Sequence, residues 1–169
     1  MVDNQPSYVG YTVLIHWREE SKLNKWDKRF YNLAKEISTW SKDPSTKVGA
    51  VIVNSNKRIL CTGYNGMPTD VNDVPAKRWV RPEKYFWVEH AERNAIYQAA
   101  RYGISIEGST IYTTTFPCAD CTRAIIQSGI KCIITPYYND NAQWFDNWKV
   151  AEQMLLEANI DITAITWWA

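Results

Sequence analysis

The chain has 169 residues, 46% hydrophobic and 14% aromatic, with 19 Lys+Arg against 18 Asp+Glu for a formal net charge of +1. This apolar fraction excludes a disordered chain, and the length suits one compact domain. The charge balance argues against a broad nucleic-acid-binding surface, which needs a Lys/Arg excess on one face, but leaves room for a local basic pocket. No apolar run reaches the roughly 18 residues of a membrane span. The start Met1-Val2-Asp3-Asn4-Gln5-Pro6 has neither the basic stretch nor the apolar stretch of a signal peptide, so a cytoplasmic protein is expected.

In chain order, residues 8–16 are apolar and β-prone and suit an added strand or arm. Over 25–40, Trp26, Phe30, Leu33, Ala34 and Ile37 recur at helical spacing and predict a core-facing helix. Pro44 bars its continuation, because the residue before a proline disfavours helical backbone. A β-branched run at 48–53, the turn cluster Asn54-Ser55-Asn56 and a second strand at 59–64 predict a hairpin. Residues 66–82, rich in Pro, Asp and Asn, read as a loop. An Ala-rich helix at 89–101 ends near Gly103. There follow a strand at 110–114, a helix at 118–127 stopped by Gly129, a strand at 131–135, a polar turn at 137–141, a helix at 143–158 and a strand at 160–166. Helices alternating with strands after a hairpin indicate an α/β sheet covered on both faces. Nine Trp and ten Tyr read first as core and interface packing.

The four cysteines divide into two kinds. With no sign of secretion, disulfides are not expected. Cys61 and Cys132 lie in apolar, strand-like stretches and read as buried small hydrophobes. Cys118 and Cys121 form a C-x-x-C pair directly after Pro117, a spacing that lets two thiolates converge on one metal from the first turn of a helix. His90 opens the other informative helix in the sequence His-Ala-Glu. One imidazole and two thiolates make three ligands. A structural zinc site closes with four protein ligands, whereas a catalytic one keeps a position for water. Helix N-termini also favour thiolate over thiol. Glu92, two residues from His90, can reach that water without being a ligand, take its proton and pass it to a ring nitrogen and a leaving amine. This is hydrolytic deamination, and H-x-E…P-C-x-x-C is the signature of zinc deaminases of nucleobases. C-x-x-C alone is weak and H-x-E weaker; the two together are specific. The competing reading is a structural zinc site that recruits His16 or Cys61 and leaves Glu92 without a role.

The stretch Ser41-Lys42-Asp43-Pro44-Ser45-Thr46-Lys47-Val48-Gly49-Ala50-Val51-Ile52-Val53 resembles deoxycytidylate (dCMP) deaminases. So do Gly63-Tyr64-Asn65-Gly66-Met67-Pro68, His90-Ala91-Glu92-Arg93-Asn94-Ala95-Ile96, Phe116-Pro117-Cys118 and Ile125-Ile126-Gln127-Ser128-Gly129-Ile130-Lys131. The resemblance runs from about Lys42 to Tyr138. It implies a three-layer α-β-α cytidine deaminase-like fold with a five-stranded mixed sheet. It further implies a single domain over 1–169, with an N-terminal arm at 1–24 and a C-terminal helix and strand at 143–169. The implied activity is conversion of dCMP to dUMP and ammonia, supplying dUMP for thymidylate synthesis. Homo-oligomers, usually hexamers, activation by dCTP and inhibition by dTTP, each with Mg²⁺, are implied as well.

Carried over residue by residue, His90, Cys118 and Cys121 match the zinc ligands and Glu92 the proton shuttle. Asn65 stands where the family binds the sugar hydroxyl, although Asn-Gly is also a turn dipeptide. Ala91 can offer its backbone N–H to the pyrimidine carbonyl. Tyr138 matches a tyrosine near the substrate phosphate, with packing as the competing reading. Lys47 and Arg123 are phosphate candidates on charge alone. Thr115 and Pro117, on the approach to Cys118, complete the candidate substrate contacts. Asn94, Gln98 and Arg101 are the candidate effector residues; Arg101 equally suits the C-terminal end of a helix. The segment 70–87 holds Lys77, Arg78, Arg81 and Lys84 but no Cys or His, so one zinc per subunit is expected. The Trp-rich tail from Trp144 departs from the family pattern and suits a subunit interface, while Trp167 and Trp168 equally suit the end of the last strand. The alternatives are a deaminase of another cytosine nucleoside or nucleotide, or of tRNA adenosine, and a non-catalytic zinc-stabilised nucleotide-binding module. Neither a nucleic acid nor a membrane is an expected partner.

Overall fold

Residues 15–138 and 144–166 are described by a computed structural model. β1 (Ile15–Glu19) leads through a 3-10 turn into α1 (Lys25–Ser38). Asn24 caps α1, its Oδ1 accepting from the N–H groups of Trp26 and Asp27 at 2.9 and 3.0 Å. β2 (Gly49–Val53) and β3 (Ile59–Tyr64) form the expected hairpin. The segment after it, read as loop, contains a 3-10 turn at Ala76–Trp79 and the single-turn helix α2 (Lys84–Trp87). The remaining elements are α3 (Ala91–Tyr102), β4 (Thr110–Thr113), α4 (Ala119–Gln127), β5 (Cys132–Pro136), α5 (Phe145–Glu157) and β6 (Asp161–Thr166). Gly103, at φ 65°, takes the left-handed position that ends α3.

The sheet runs β1-β6-β5-β4-β2-β3. β2 is antiparallel to β3 and to β4, while β4, β5, β6 and β1 are parallel neighbours, so the sheet is mixed. Side chains alternate across it. Ala50 and Ile52 of β2 join a core with Ala95, Ala99, Ile125 and Leu155 from α3, α4 and α5; Val51 and Val53 join the other core with Phe30, Tyr31, Ala34 and Ile37 from α1. Both faces are buried, which is why β2 reads as an unbroken apolar run. This is the expected three-layer α-β-α architecture.

The sheet has six strands where five were expected. The sixth is β1, in register with β6 from Ile15↔Ile162 to Glu19↔Thr166. Without it, β6 would present an unpaired row of backbone donors and acceptors, and the β-prone start of the chain supplies the partner. The expected arm at 1–24 therefore contains a sheet strand; residues 1–14, 139–143 and the pair Trp167-Trp168 lie outside the described residues. Trp26, expected in the core, is 38% exposed. It stacks on Phe30 with centroids 5.8 Å apart, and Arg29 and Lys57 lie over its ring at 5.1 Å each.

β3 and α3 approach so closely that a Cβ at Gly63 would stand 2.3 Å from the Ala91 carbonyl oxygen and 2.6 Å from the Ala95 nitrogen. Both obstacles are backbone, so Gly63→Ala forces α3 off the sheet. The expected loss is about 1–3 kcal/mol, as for overpacked cores, read by urea denaturation. A stability within about 0.5 kcal/mol of the parent, the usual range of a surface substitution, would contradict this close approach.

Candidate active site

α3 and α4 pack against each other, and each begins at a candidate metal ligand. His90 is the N-cap of α3 (φ −81°, ψ 152°), and Cys118 is the N-cap of α4 (φ −71°, ψ 168°) with Cys121 in its first turn. The sulfurs of Cys118 and Cys121 each lie 3.4 Å from His90 Nδ1, and the three ligating atoms fall within 4.8 Å of one another. Tetrahedral zinc with its usual Zn–S and Zn–N bonds requires a sulfur–nitrogen separation of roughly 3.5 Å. The donor set therefore fits zinc. Among the described residues no fourth ligand joins this group; His16 is exposed and Cys61, though buried, is not part of it.

The three donors polarise one another. Cys121 hydrogen-bonds Cys118 and, with help from His90 against the cost of burial, brings the Cys118 thiol down to about 4. The same bond, together with burial, pushes Cys121 up. The contact with Cys118 raises His90. Glu92 is 2% exposed, and burial raises its carboxyl against the opposing pull of His90.

His90, Glu92 and Cys118 line a cavity of about 280 Å³. Of the predicted substrate contacts, Asn65, Ala91 and Thr115 also line it. Ala91 is the first residue of α3, so its N–H has no intrahelical acceptor. Asn65 is buried, and its side chain staples the 43–48 segment: Oδ1 accepts from Val48 N–H at 2.8 Å, and Nδ2 donates to Thr46 O at 2.9 Å and Asp43 Oδ2 at 3.2 Å. Thr115 offers its carbonyl to the hydroxyls of Thr113 and Thr135 at 2.9 and 3.0 Å.

Other predicted residues lie elsewhere. Pro117 is buried and is not part of the cavity lining. Lys47 is exposed and donates to the Thr39 carbonyl at 3.4 Å. Arg123 is exposed on α4, paired with Asp120. Tyr138 is buried and off the lining; its hydroxyl donates to Glu152 Oε2 at 2.7 Å, and its ring packs on Phe116 and Trp148 at 4.9 and 5.5 Å. Asn94 donates to the Tyr64 carbonyl at 2.8 Å and Gln98 accepts from Thr62 N–H at 3.0 Å, so both fasten α3 to edge strand β3. Arg101 is exposed in the last turn of α3.

Sequence reasoning missed two walls of the cavity. One comes from the 81–88 segment through Arg81, Lys84, Tyr85 and Val88, the other from the start of α5 through Trp144 and Trp148. Tyr85 meets Trp144 edge-on at 5.8 Å, joining the two walls. The Trp-rich tail thus faces the cavity with its first two indoles. The basic residues of 70–87 were the available signal for the first wall.

The family model "Cytidine and deoxycytidylate deaminase zinc-binding region" matches residues 24–136, which include both ligand-bearing helix starts. The fold and the cluster therefore define a deaminase. The chain is 41% identical over 143 residues to the "Uncharacterized deaminase in luxG 3'region" of Aliivibrio fischeri, covering 83% of this chain and 94% of that one. It is 38% identical over 126 residues to the deoxycytidylate deaminase of Mus musculus, covering 70% of each. The crystal structure of the dCMP deaminase from the cyanophage S-TIM5, in complex with dCMP and dUMP, superposes with a TM-score of 0.68 at 27% identity, covering 85% of this chain and 98% of that one. This chain belongs to the cytidine and deoxycytidylate deaminase family, among its deoxycytidylate deaminases. Among the described residues no helix is long and apolar enough to cross a membrane.

Proposed function

We propose that this chain hydrolyses dCMP to dUMP and ammonia, with one zinc ion held by His90, Cys118 and Cys121. The observation that carries the reading is a three-donor metal cluster and a buried carboxylate, Glu92, on one cavity wall. Zinc bound there supplies Lewis acidity that brings the pKa of water toward about 7. Glu92 takes one proton from the attacking water and delivers it to the pyrimidine ring nitrogen, where it stays. It then takes the second proton from the added hydroxyl and delivers it to the departing amine, which leaves as ammonia. The Ala91 N–H, without an intrahelical acceptor on the cavity wall, is the donor we assign to the pyrimidine carbonyl. The dCMP and dUMP bound by the cyanophage relative support this substrate.

A phosphate on the substrate needs a cation, and the cavity lining offers two. Lys84 is neutralised by Asp43, its Nζ 2.6 Å from Oδ2. Arg81 is exposed and joins no ion pair among the described residues. We therefore assign the phosphate to Arg81, in place of Lys47, Arg123 and Tyr138. A hydrogen bond to a charged group contributes about 1.5–3 kcal/mol, or roughly 10- to 150-fold in affinity. Arg81→Gln is expected to raise KM for dCMP by that factor while leaving kcat, and turnover of deoxycytidine, within about threefold. Equal losses on both substrates would refute the assignment.

Activation by dCTP and inhibition by dTTP with Mg²⁺, effector contacts at Asn94, Gln98 and Arg101, oligomeric assembly and a cytoplasmic setting extend the same proposal on family resemblance. The deciding experiment measures ammonia release from dCMP, dCTP, cytidine and deoxycytidine side by side, with and without the two triphosphates as effectors. A preference for any substrate but dCMP overturns the first claim. A response to neither triphosphate removes the regulatory one.

A further inference from the structure

The best N-cap residues are Ser, Thr, Asp and Asn, whose side-chain oxygens accept the free N–H groups of the first helical turn. α3 and α4 each have a proposed metal ligand at that position, and neither His90 nor Cys118 offers a capping oxygen. The Cys118 sulfur faces only the Cys121 N–H, so an oxygen acceptor for the other first-turn N–H groups has to come from elsewhere. On α3 it is the preceding residue: Glu89 Oε1 accepts from the His90 N–H at 2.9 Å and is held by Arg93. On α4 it comes from a different helix. Asn147 Oδ1, in the first turn of α5, accepts from the Ala119 N–H at 2.8 Å. Ala119 is the residue directly after Cys118 and two before Cys121.

We propose that Asn147 is a positioning residue that fixes the Cys118–Cys121 turn in its metal-holding geometry from α5; this rests on the reading that His90, Cys118 and Cys121 hold zinc. The surroundings of Asn147 fit the role. Trp144 and Trp148, on either side of it in sequence, line the cavity, and α5 packs along α4. Further along α5, Glu152 accepts the buried Tyr138 hydroxyl, anchoring the helix to the end of β5. Asn147 therefore reaches the ligand turn from a helix fixed at both ends of this contact. The C-terminal helix is thereby part of the metal site without supplying a ligand.

The test is zinc affinity, measured by competition with a chromophoric chelator on the purified full chain, for Asn147→Ala, Asn147→Asp and an exposed control on the same helix, Val150→Ala. Groups that orient metal ligands typically change metal affinity by about 10- to 100-fold. Asn147→Ala is expected to lose zinc affinity by that factor. Asn147→Asp, which keeps the accepting oxygen, is expected to stay within about threefold, as is Val150→Ala. Melting of the metal-free proteins separates this from general damage, since a merely structural role lowers the melting temperature and leaves zinc affinity unchanged. Asn147→Ala binding zinc as tightly as the parent overturns the proposal, and so does Asn147→Asp losing as much as Asn147→Ala. Should Asn147→Ala fail to fold, Asn147→Asp decides: parental zinc affinity supports the capping role, a loss refutes it. A parent protein that binds no zinc refutes the metal reading itself, an outcome distinct from both.

Discussion

Glu92→Gln is expected to lower kcat for dCMP by at least about 10²- to 10⁴-fold, the range of a single acid–base group, with zinc content and dCMP affinity close to parental. The substitution is nearly isosteric, which matters for a side chain only 2% exposed. Glu92 is not one of the three clustered metal donors, so the cluster keeps its ligands. What the amide cannot do is accept a proton from water and hand it on. Cys118→Ala separates the two functions, because it removes a ligand and is expected to lose metal and activity together. Single-turnover kinetics with metal analysis reads both variants. A Glu92→Gln enzyme retaining more than about a tenth of parental turnover would place the proton shuttle elsewhere.

The contrast between these residues and the rest of the cavity follows from distance along the chain. His90 and Glu92 lie within three consecutive residues and Cys118 and Cys121 within four, so helical geometry alone converges each pair, and the motif was readable before any fold was known. The hairpin and the later strands were readable for the same reason, since each rests on a local pattern. The pairing of β1 with β6 was not, because it joins residues near 15 to residues near 162 and no local signal names the partner. Tyr138 carried two readings, a substrate phosphate contact and packing, between which the sequence could not choose. A tyrosine beside a strand end can turn to either side, and here a buried acceptor 14 residues on, Glu152, takes its hydroxyl away from the cavity. Trp144 and Trp148 looked like an interface because composition reports that aromatics exist without saying which way a helix faces. Asn147 was invisible for a further reason: the helix it caps begins with a ligand, and nothing in the sequence around Cys118 names the side chain that replaces the missing cap.

The ion pair Asp43–Lys84 is expected to hold the cavity's two loop walls together, and breaking it to cost about 3–5 kcal/mol, the usual penalty for stranding one partner of a buried pair. The side chain of Asp43 is 0% exposed and that of Lys84 9%, with Nζ 2.6 Å from Oδ2. The pair spans 41 residues of chain. Asp43 Oδ1 also accepts from the Ser45 N–H and hydroxyl, both at 2.8 Å, and from the Thr46 N–H at 3.1 Å; Asn65 Nδ2 donates to Oδ2. In Lys84→Met these donors still solvate the carboxylate, so the loss belongs near the lower end, about 3 kcal/mol. Asp43→Asn strands the ammonium with the Ser45 hydroxyl, 2.8 Å away, and is expected to cost more. The double variant Asp43→Asn, Lys84→Met leaves no stranded charge and should recover part of the loss. Urea denaturation of the four proteins measures this; a single-variant cost below about 1 kcal/mol would reduce the pair to one of surface strength. Acid gives a second reading. Burial raises the Asp43 carboxyl, but Lys84 and the donors of Ser45 and Thr46 together outweigh it and hold it below its ordinary 3.8. A depressed carboxyl contributes stability that is fully present above its unfolded value and is lost as pH falls through the lower folded one. The parent should therefore keep this contribution down to about pH 4 and shed it below. Lys84→Met, in which the main lowering partner is gone, has less of this contribution to lose, so its stability should fall less than the parent's below about pH 4. An equal fall in both proteins would show that Asp43 owes its low proton affinity to the backbone and hydroxyl donors instead of to Lys84.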